Sequence, residues 1–224
     1  MKKILILGGG ISKEREISLE TTKQVNSALK KKYKTLVSEP NESLKKNIKK
    51  FKPDVIFNAL HGRFGEDGYI QSVLESLKIK YTHSGVISSF LAMDKILSKS
   101  IFVKNNILTP NYLKFTFKNK KINKNLVLKI KKKLKFPVVL KPINEGSSVD
   151  VYICNEKNFT KYLKKLRKYD EILIEKYIQG REIQVAMLGN KKLGAIELKP
   201  KRKFYDYKAK YSTNAKTEHI IPVK

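Results

Sequence analysis

Short apolar runs alternate with helix-like stretches through the first 105 residues, and that order leaves few folds open. Residues 3–7 read as a strand and 14–32 as a helix. A short strand at 36–38 is followed by a helix at 43–51, an apolar strand at 54–60 and a helix at 69–77. Residues 80–82 are extended, and 88–105 read as one helix. This βαβα order implies a parallel sheet covered by helices. Such sheets place ligands at the carboxyl ends of their strands. Gly8-Gly9-Gly10 and His61-Gly62 fall there. The glycines do not complete G-x-G-x-x-G, because position 13 is lysine, so they carry little weight as a dinucleotide fingerprint.

After Thr109-Pro110 the pattern changes. Residues 111–115 are extended, 126–134 helical, and the stretches 137–142, 151–154, 172–177, 182–188 and 193–198 alternate as strands do. One helix, 158–169, interrupts them. A turn as short as Gly189-Asn190 joins antiparallel strands. The expected boundary lies near residue 108, giving domains 1–108 and 109–224.

Composition narrows the class. The chain has 224 residues and 41% hydrophobic content, enough for a core. No apolar run approaches the roughly 18 residues of a membrane helix. The apolar start ends early at Gly8-Gly9-Gly10, which suits a buried strand rather than a signal peptide. A single cysteine, Cys154, excludes an internal disulfide and a cysteine metal cluster, so the expected location is cytoplasmic. Lys and Arg number 49 against 20 acids, a net charge of +29. Only Arg15, Arg63, Arg167, Arg181 and Arg202 are arginine, the residue favoured for base and bidentate phosphate recognition. The lysines are spread along the chain, with runs at 118–124 and 129–135 that read as solvated faces. Composition bias accounts for them better than specific nucleic-acid binding.

Several segments carry chemistry. In 136–149, Lys141 interrupts an apolar strand, and Glu145-Gly146-Ser147-Ser148 follows. A lysine in such a strand is costly unless it meets an anion. Backbone N–H groups and hydroxyls of the loop suit phosphate or carboxylate. The same segment also reads as an edge lysine reaching water before an ordinary turn. Glu14 and Glu16 open the first helix, with Ser12 as its N-cap. The segment 59–68 gathers His61, Arg63, Glu66 and Asp67 among three glycines at a strand end. Met93-Asp94-Lys95 lies on a helix, and Ile174-Glu175-Lys176-Tyr177 ends a strand on a carboxylate. The aromatic segment 204–212 lacks a core period, as a lid or binding loop does. A mobile surface loop or a nucleic-acid contact has the same composition.

Taken in order, these segments resemble the D-alanine–D-alanine ligases of the ATP-grasp superfamily. The likeness rests on Glu14-Arg15-Glu16-Ile17-Ser18-Leu19, residues 59–68, Ser84-Gly85-Val86, Met93-Asp94-Lys95, Lys141-Pro142, residues 145–149, Ile174-Glu175-Lys176 and residues 204–211. The resemblance implies an α/β chain: an N-terminal Rossmann-like substrate domain, then an ATP-grasp α+β region. It implies an ATP-dependent ligase that makes D-alanyl-D-alanine for peptidoglycan through an acylphosphate. ATP and Mg2+ (or Mn2+) would be the cofactors and D-alanine the substrate. The chain would form a homodimer, with no specific nucleic acid and no membrane insertion.

By the same resemblance, Glu14 would hold the ammonium of the first D-alanine. His61 and Ser18 would lie at that substrate. Ser147 and Tyr211 would complete a hydrogen-bonded Glu–Ser–Tyr set beneath a lid, whose tyrosine favours D-alanine over D-lactate as second substrate. Lys95 and Lys141 would contact the ATP phosphates, and Lys210 would approach the γ-phosphate. Glu175, with the backbone of Lys176, Tyr177 and Ile178, would receive adenine, and Glu182 the ribose.

Two departures stand out. Asp150 occupies a place where the family usually has glycine, and is expected to turn away from the nucleotide. No Asn-x-x-Pro-Gly motif occurs, and Glu218 is the only acid after Tyr211. The ATP-grasp region is therefore expected to lack its C-terminal part, with the metal ligands there. A natural short nucleotide-binding homologue without catalysis is the alternative, and a basic nucleic-acid-binding module ranks below it.

Overall fold

A computed structural model describes residues 1–117, 124–201, 207–212 and 214–223. They form two compact units, Met1–Lys104 and Asn105–Lys224. The first runs β1 (Lys3–Leu7), α1 (Arg15–Leu29), β2 (Lys34–Ser38), α2 (Leu44–Phe51), β3 (Val55–Asn58), α3 (Tyr69–Ser76), α4 (Val86–Met93) and α5 (Lys95–Lys104). β1 is the central strand, parallel to β2 on one side and β3 on the other. Its side chains alternate between two cores. Leu5 and Leu7 pack with Leu44, Ile48, Ile70 and Leu74 of α2 and α3. Ile4 and Ile6 pack with Val25 and Leu29 of α1. Both faces of the sheet are covered, which is why β1 reads as an unbroken apolar run. Each fully buried aliphatic side chain contributes about 1.5–3 kcal/mol. Tyr81 adds one parallel bridge to Ile56.

Two local expectations change. The helix expected over 88–105 is two helices. Asp94 is extended (ψ 108°), and its Oδ1 accepts the N–H groups of Ile96 and Leu97 at 2.8 and 3.0 Å. It thus caps α5 and stops α4, a choice the short polar side chain makes possible. Ser12 is not the N-cap of α1. Glu14 holds that position, while Ser12 Oγ accepts from the Glu14 N–H and donates to the His61 carbonyl at 2.7 Å.

The second unit runs β4 (Tyr112–Thr116), α6 (Lys124–Lys133), β5 (Val138–Pro142), β6 (Tyr152–Cys154), α7 (Glu156–Lys165), β7 (Glu171–Lys176), β8 (Glu182–Leu188), β9 (Lys191–Lys199), α8 (Tyr207–Tyr211) and β10 (Glu218–Ile220). A four-stranded antiparallel sheet has the order β4-β7-β5-β6. One face carries Phe115, Val138, Leu140, Ile172 and Ile174, packed against Ile130 and Leu134 from α6 and its C-terminal end and Phe159 and Leu163 of α7. β10, β9 and β8 form a second antiparallel sheet, with Gly189-Asn190 as the β8–β9 turn. The helix expected over 158–169 starts earlier, at Glu156. Asn155 and Asn158 form a reciprocal capping box, each side chain accepting the other's backbone N–H. Residues 118–123 of the lysine run, Arg202, and residues 204–206 of the aromatic segment lie outside the described residues. Among the described residues no helix is long and apolar enough to cross a membrane.

Candidate active site

The carboxyl ends of β1 and β3 converge on the start of α1. Gly8 follows β1, and a Cβ there would lie 1.8 Å from Thr22 Oγ1, so α1 docks directly on bare backbone. Ser18 is fully buried, and its hydroxyl accepts from Gly9 N–H at 2.9 Å and donates to the Ala59 carbonyl at 2.7 Å. Its donor is consumed inside the protein, so Ser18 ties the glycine turn to β3 rather than presenting a hydroxyl to a ligand. Glu14 is buried at the head of α1. A Cβ on Gly62 would stand 2.8 Å from Glu14 Oε2, at a φ of +68° that also favours glycine. The Glu14 carboxylate therefore lies over the His61-Gly62 turn.

Within residues 59–68, two acids serve the backbone. Glu66 accepts the Gly62 N–H at 2.8 Å, and Asp67 accepts the N–H groups of Phe64 and Tyr69 at 2.9 and 3.1 Å. His61 is held at both ends. Its carbonyl takes the Ser12 hydroxyl, and its Nε2 lies 3.0 Å from Thr21 Oγ1. Thr21 escaped the sequence reading. Its signal was its place three residues beyond Ser18, on the same helical face. Lys95 is half-buried at the first position of α5, behind the Asp94 cap.

The second unit gathers the remaining candidates. Lys141 and Leu173 are directly opposite across β5 and β7, and Val139 faces Glu175. The diagonal brings the Lys141 ammonium onto the Glu175 carboxylate as an ion pair, with side chains 22% and 9% exposed. Both lie on the sheet face opposite the α6–α7 core. The anion that Lys141 was expected to need is thus, within the chain itself, Glu175. The N–H groups of Lys176 and Tyr177 are bonded to the carbonyls of Asn111 and Pro137 at 2.9 and 3.1 Å. Ile178 follows with an exposed side chain.

Ser147 Oγ and Tyr211 OH lie 2.6 Å apart, joining the loop after β5 to the last residue of α8. Ser147, Ser148 and Asp150 all have left-handed φ values of 48°, 58° and 54°. Such values in non-glycine residues cost energy and mark a functional or tightly determined turn. Asp150 turns toward β6 and the turn after α7. It accepts from Tyr169 OH at 2.5 Å, Tyr152 OH at 3.1 Å and Lys168 Nζ at 2.8 Å. Partial burial works against its charge, yet the hydrogen bonds from Lys168, Tyr169 and Tyr152 hold its carboxyl below the usual aspartate range. Glu182 opens β8. Desolvation pushes its carboxyl upward, and the nearby Lys210 ammonium draws it back. Among the described residues, no group of three or more His, Cys, Asp or Glu side chains is placed to hold a metal ion.

Residues 101–224 match the family model described as D-ala D-ala ligase C-terminus, and residues 33–84 match D-ala D-ala ligase N-terminus. The D-alanine–D-alanine ligase of Pelagibacter ubique (strain HTCC1062) is 67% identical over 223 residues, which are 99% of this chain and 73% of that protein. That of Wolbachia pipientis wMel is 45% identical over 224 residues, covering 99% of this chain and 69% of the relative. The crystal structure of the Bacillus anthracis D-alanine–D-alanine ligase superposes with a TM-score of 0.83 at 34% identity, covering 100% of this chain and 73% of that one. Its complex with ATP superposes with a TM-score of 0.79 at 30% identity, over 100% and 72% of the two chains.

Proposed function

This chain belongs to the D-alanine–D-alanine ligase family, and from that premise we propose how its residues divide the work. The protein is an ATP-dependent ligase that joins two D-alanines for peptidoglycan synthesis. The observation that carries this is the 67% identity along 99% of the chain. A carboxylate oxygen of the first D-alanine attacks the γ-phosphorus of ATP, giving an acylphosphate and ADP. The amine of the second D-alanine attacks the acyl carbon, loses a proton and expels phosphate. No protein nucleophile is required, so the residues act by positioning and by charge.

In this reading the first unit is the substrate domain. Glu14 takes the ammonium of the first D-alanine, and His61 faces its carboxylate. Ser18 acts one step back, by holding the glycine turn and β3 in register. The second unit is the ATP-grasp domain. A lysine ammonium has three donors, so Lys141 can bind Glu175 and still offer hydrogens to phosphate oxygens. Glu175 and the backbone through Lys176, Tyr177 and Ile178 receive adenine. With the first two N–H groups already bonded, Ile178 N–H is the donor assigned to the base. Glu182 takes the ribose, and Lys95 and Lys210 the phosphates. Ser147 and Tyr211 latch the phosphate loop to α8.

Magnesium (or manganese) belongs to this reading as the partner of ATP. The described residues do not themselves fit a metal site, and no step is assigned through one. We place the enzyme in the cytoplasm, where ATP is available, and as a homodimer. Exposed Ile87, Phe90 and Val103 on α4 and α5 support an association face.

The test is D-alanine-dependent ADP release with formation of D-alanyl-D-alanine. ADP release that is indifferent to D-alanine sinks the reading. Lys141→Ala is expected to weaken ATP binding about 10–100-fold, the worth of a charge-assisted contact. Unchanged affinity in the folded variant removes Lys141 from the phosphate site.

A further inference from the structure

His61 is fixed more tightly than a loop histidine needs to be. Ser12 holds its carbonyl, and the Thr21 hydroxyl reaches its ring at Nε2. Thr21 sits on α1 in the run that also supplies Ser18 and Thr22. The Thr22 hydroxyl is spent on the Ser18 carbonyl at 2.7 Å, and that of Ser18 on Ala59. Thr21 therefore stands apart from its two neighbours, because its hydroxyl meets a titratable ring.

The nitrogen that bears the proton of a neutral imidazole is set by the hydrogen bond made at the other nitrogen. We propose that Thr21 is a positioning residue for the ligase reaction: its hydroxyl donates to His61 Nε2 and so keeps the Nδ1 proton in place as the donor to the first substrate's carboxylate. This rests on the reading of His61 as a carboxylate contact. The arrangement works in both charge states of the ring. In the neutral form, Thr21 O–H donates to Nε2 and Nδ1–H remains. In the imidazolium, Nε2–H donates to Thr21 Oγ1 and Nδ1–H again remains. A hydroxyl can do both, because it is one donor and two acceptors; toward the neutral ring it takes the donor role, because among the described residues its proton meets no acceptor other than Nε2. A methyl group can do neither.

The experiment is nitrogen-15 NMR of the His61 ring with the ring neutral, alongside D-alanine binding, in the wild type and in Thr21→Val, Thr21→Ser and His61→Ala. The wild type is expected to show the Nδ1–H tautomer. Thr21→Val is expected to lose that preference and to raise the KM or Kd for the first D-alanine about 3–10-fold, the value of one neutral hydrogen bond. Its kcat at saturation should change less than its KM. Thr21→Ser should restore both readouts. A wild-type ring in the Nε2–H form overturns the proposal without any variant. So does a folded Thr21→Val with wild-type ring signals and affinity. If His61→Ala binds D-alanine as the wild type does, the carboxylate reading of His61 fails, and the proposal with it. If His61→Ala weakens binding while Thr21→Val changes nothing, only the role of Thr21 is lost.

Discussion

The two antiparallel sheets of the second unit are alike in sequence pattern and unlike in burial. In the β4-β7-β5-β6 sheet, Val138, Leu140, Ile172 and Ile174 are fully buried beneath α6 and α7. In the β10-β9-β8 sheet, every residue of β8 is exposed, including Ile183, Val185 and Met187 at 44%, 56% and 58%. The first sheet carries the Lys141–Glu175 pair on a rigid base. The second carries Glu182 on a strand whose neighbours are solvated. Strand propensity made both sheets, and burial decided which one anchors charge to a fixed position.

The largest expected contrast is chemical. Burial pushes the Cys154 thiol up to about 12, so folded protein holds far less thiolate than an ordinary cysteine. Cys154 should resist alkylation until the protein unfolds, whereas a cysteine introduced by Val185→Cys should react at once. Equal rates would erase the distinction between the sheets. Stability gives the next contrast. Leu140→Ala should lose about 2–5 kcal/mol, and Met187→Ala no more than about 0.5, by urea denaturation. Comparable losses would mean that β8 is buried in solution.

A smaller effect separates the ion pairs. Lys141→Met strands the buried Glu175 carboxylate and should cost about 1–3 kcal/mol, the lower range for a pair that keeps some solvent. Arg181, whose side chain is half exposed, holds Glu197 (14% exposed) through Nε and Nη2 at 2.9 and 2.6 Å. Arg181→Ala should be distinctly milder in the same assay. Asp150 offers the finest test. Its folded-state pKa lies below the unfolded value near 3.9, so its contribution is present above that pH and is lost as pH falls through the folded value. Asp150→Asn should flatten the acid limb of the stability curve below about pH 5 and leave the neutral limb with the same slope. An unaltered acid limb would remove the Lys168–Tyr169–Tyr152 cluster as the cause.

Much of this was legible in the residues. The strands at 3–7 and 137–142 declared themselves by apolar runs and alternation, because there the pattern reports burial; 182–188 shows the same alternation while exposed, so there it reports strand propensity. Lys141 announced that an anion lay nearby. Its identity as Glu175 required the register of β5 against β7, a pairing of residues 34 positions apart. The break at Asp94 and the early start of α7 were written in capping side chains. Each could also have been an ordinary surface polar residue, since a cap differs from one only in where the backbone turns. The short strand β10 has too few residues to show a period, and exists through its ladder to β9.

By itself, the sequence determined the order of the elements, the division of chemistry between a glycine-rich strand end and a lysine-bearing strand, and the family to which both belong. Periodicity, turn residues and motif order are local, so they survive in one dimension. Only the tertiary structure decided that Ser18 is consumed between Gly9 and Ala59, that Asp150 folds back onto Tyr152, Tyr169 and Lys168, and that Thr21 meets His61. Each of these turns on which partner a single polar atom finds. A hydroxyl or carboxylate has several possible partners of similar worth, and only the packing of the chain brings one of them within 3 Å or so.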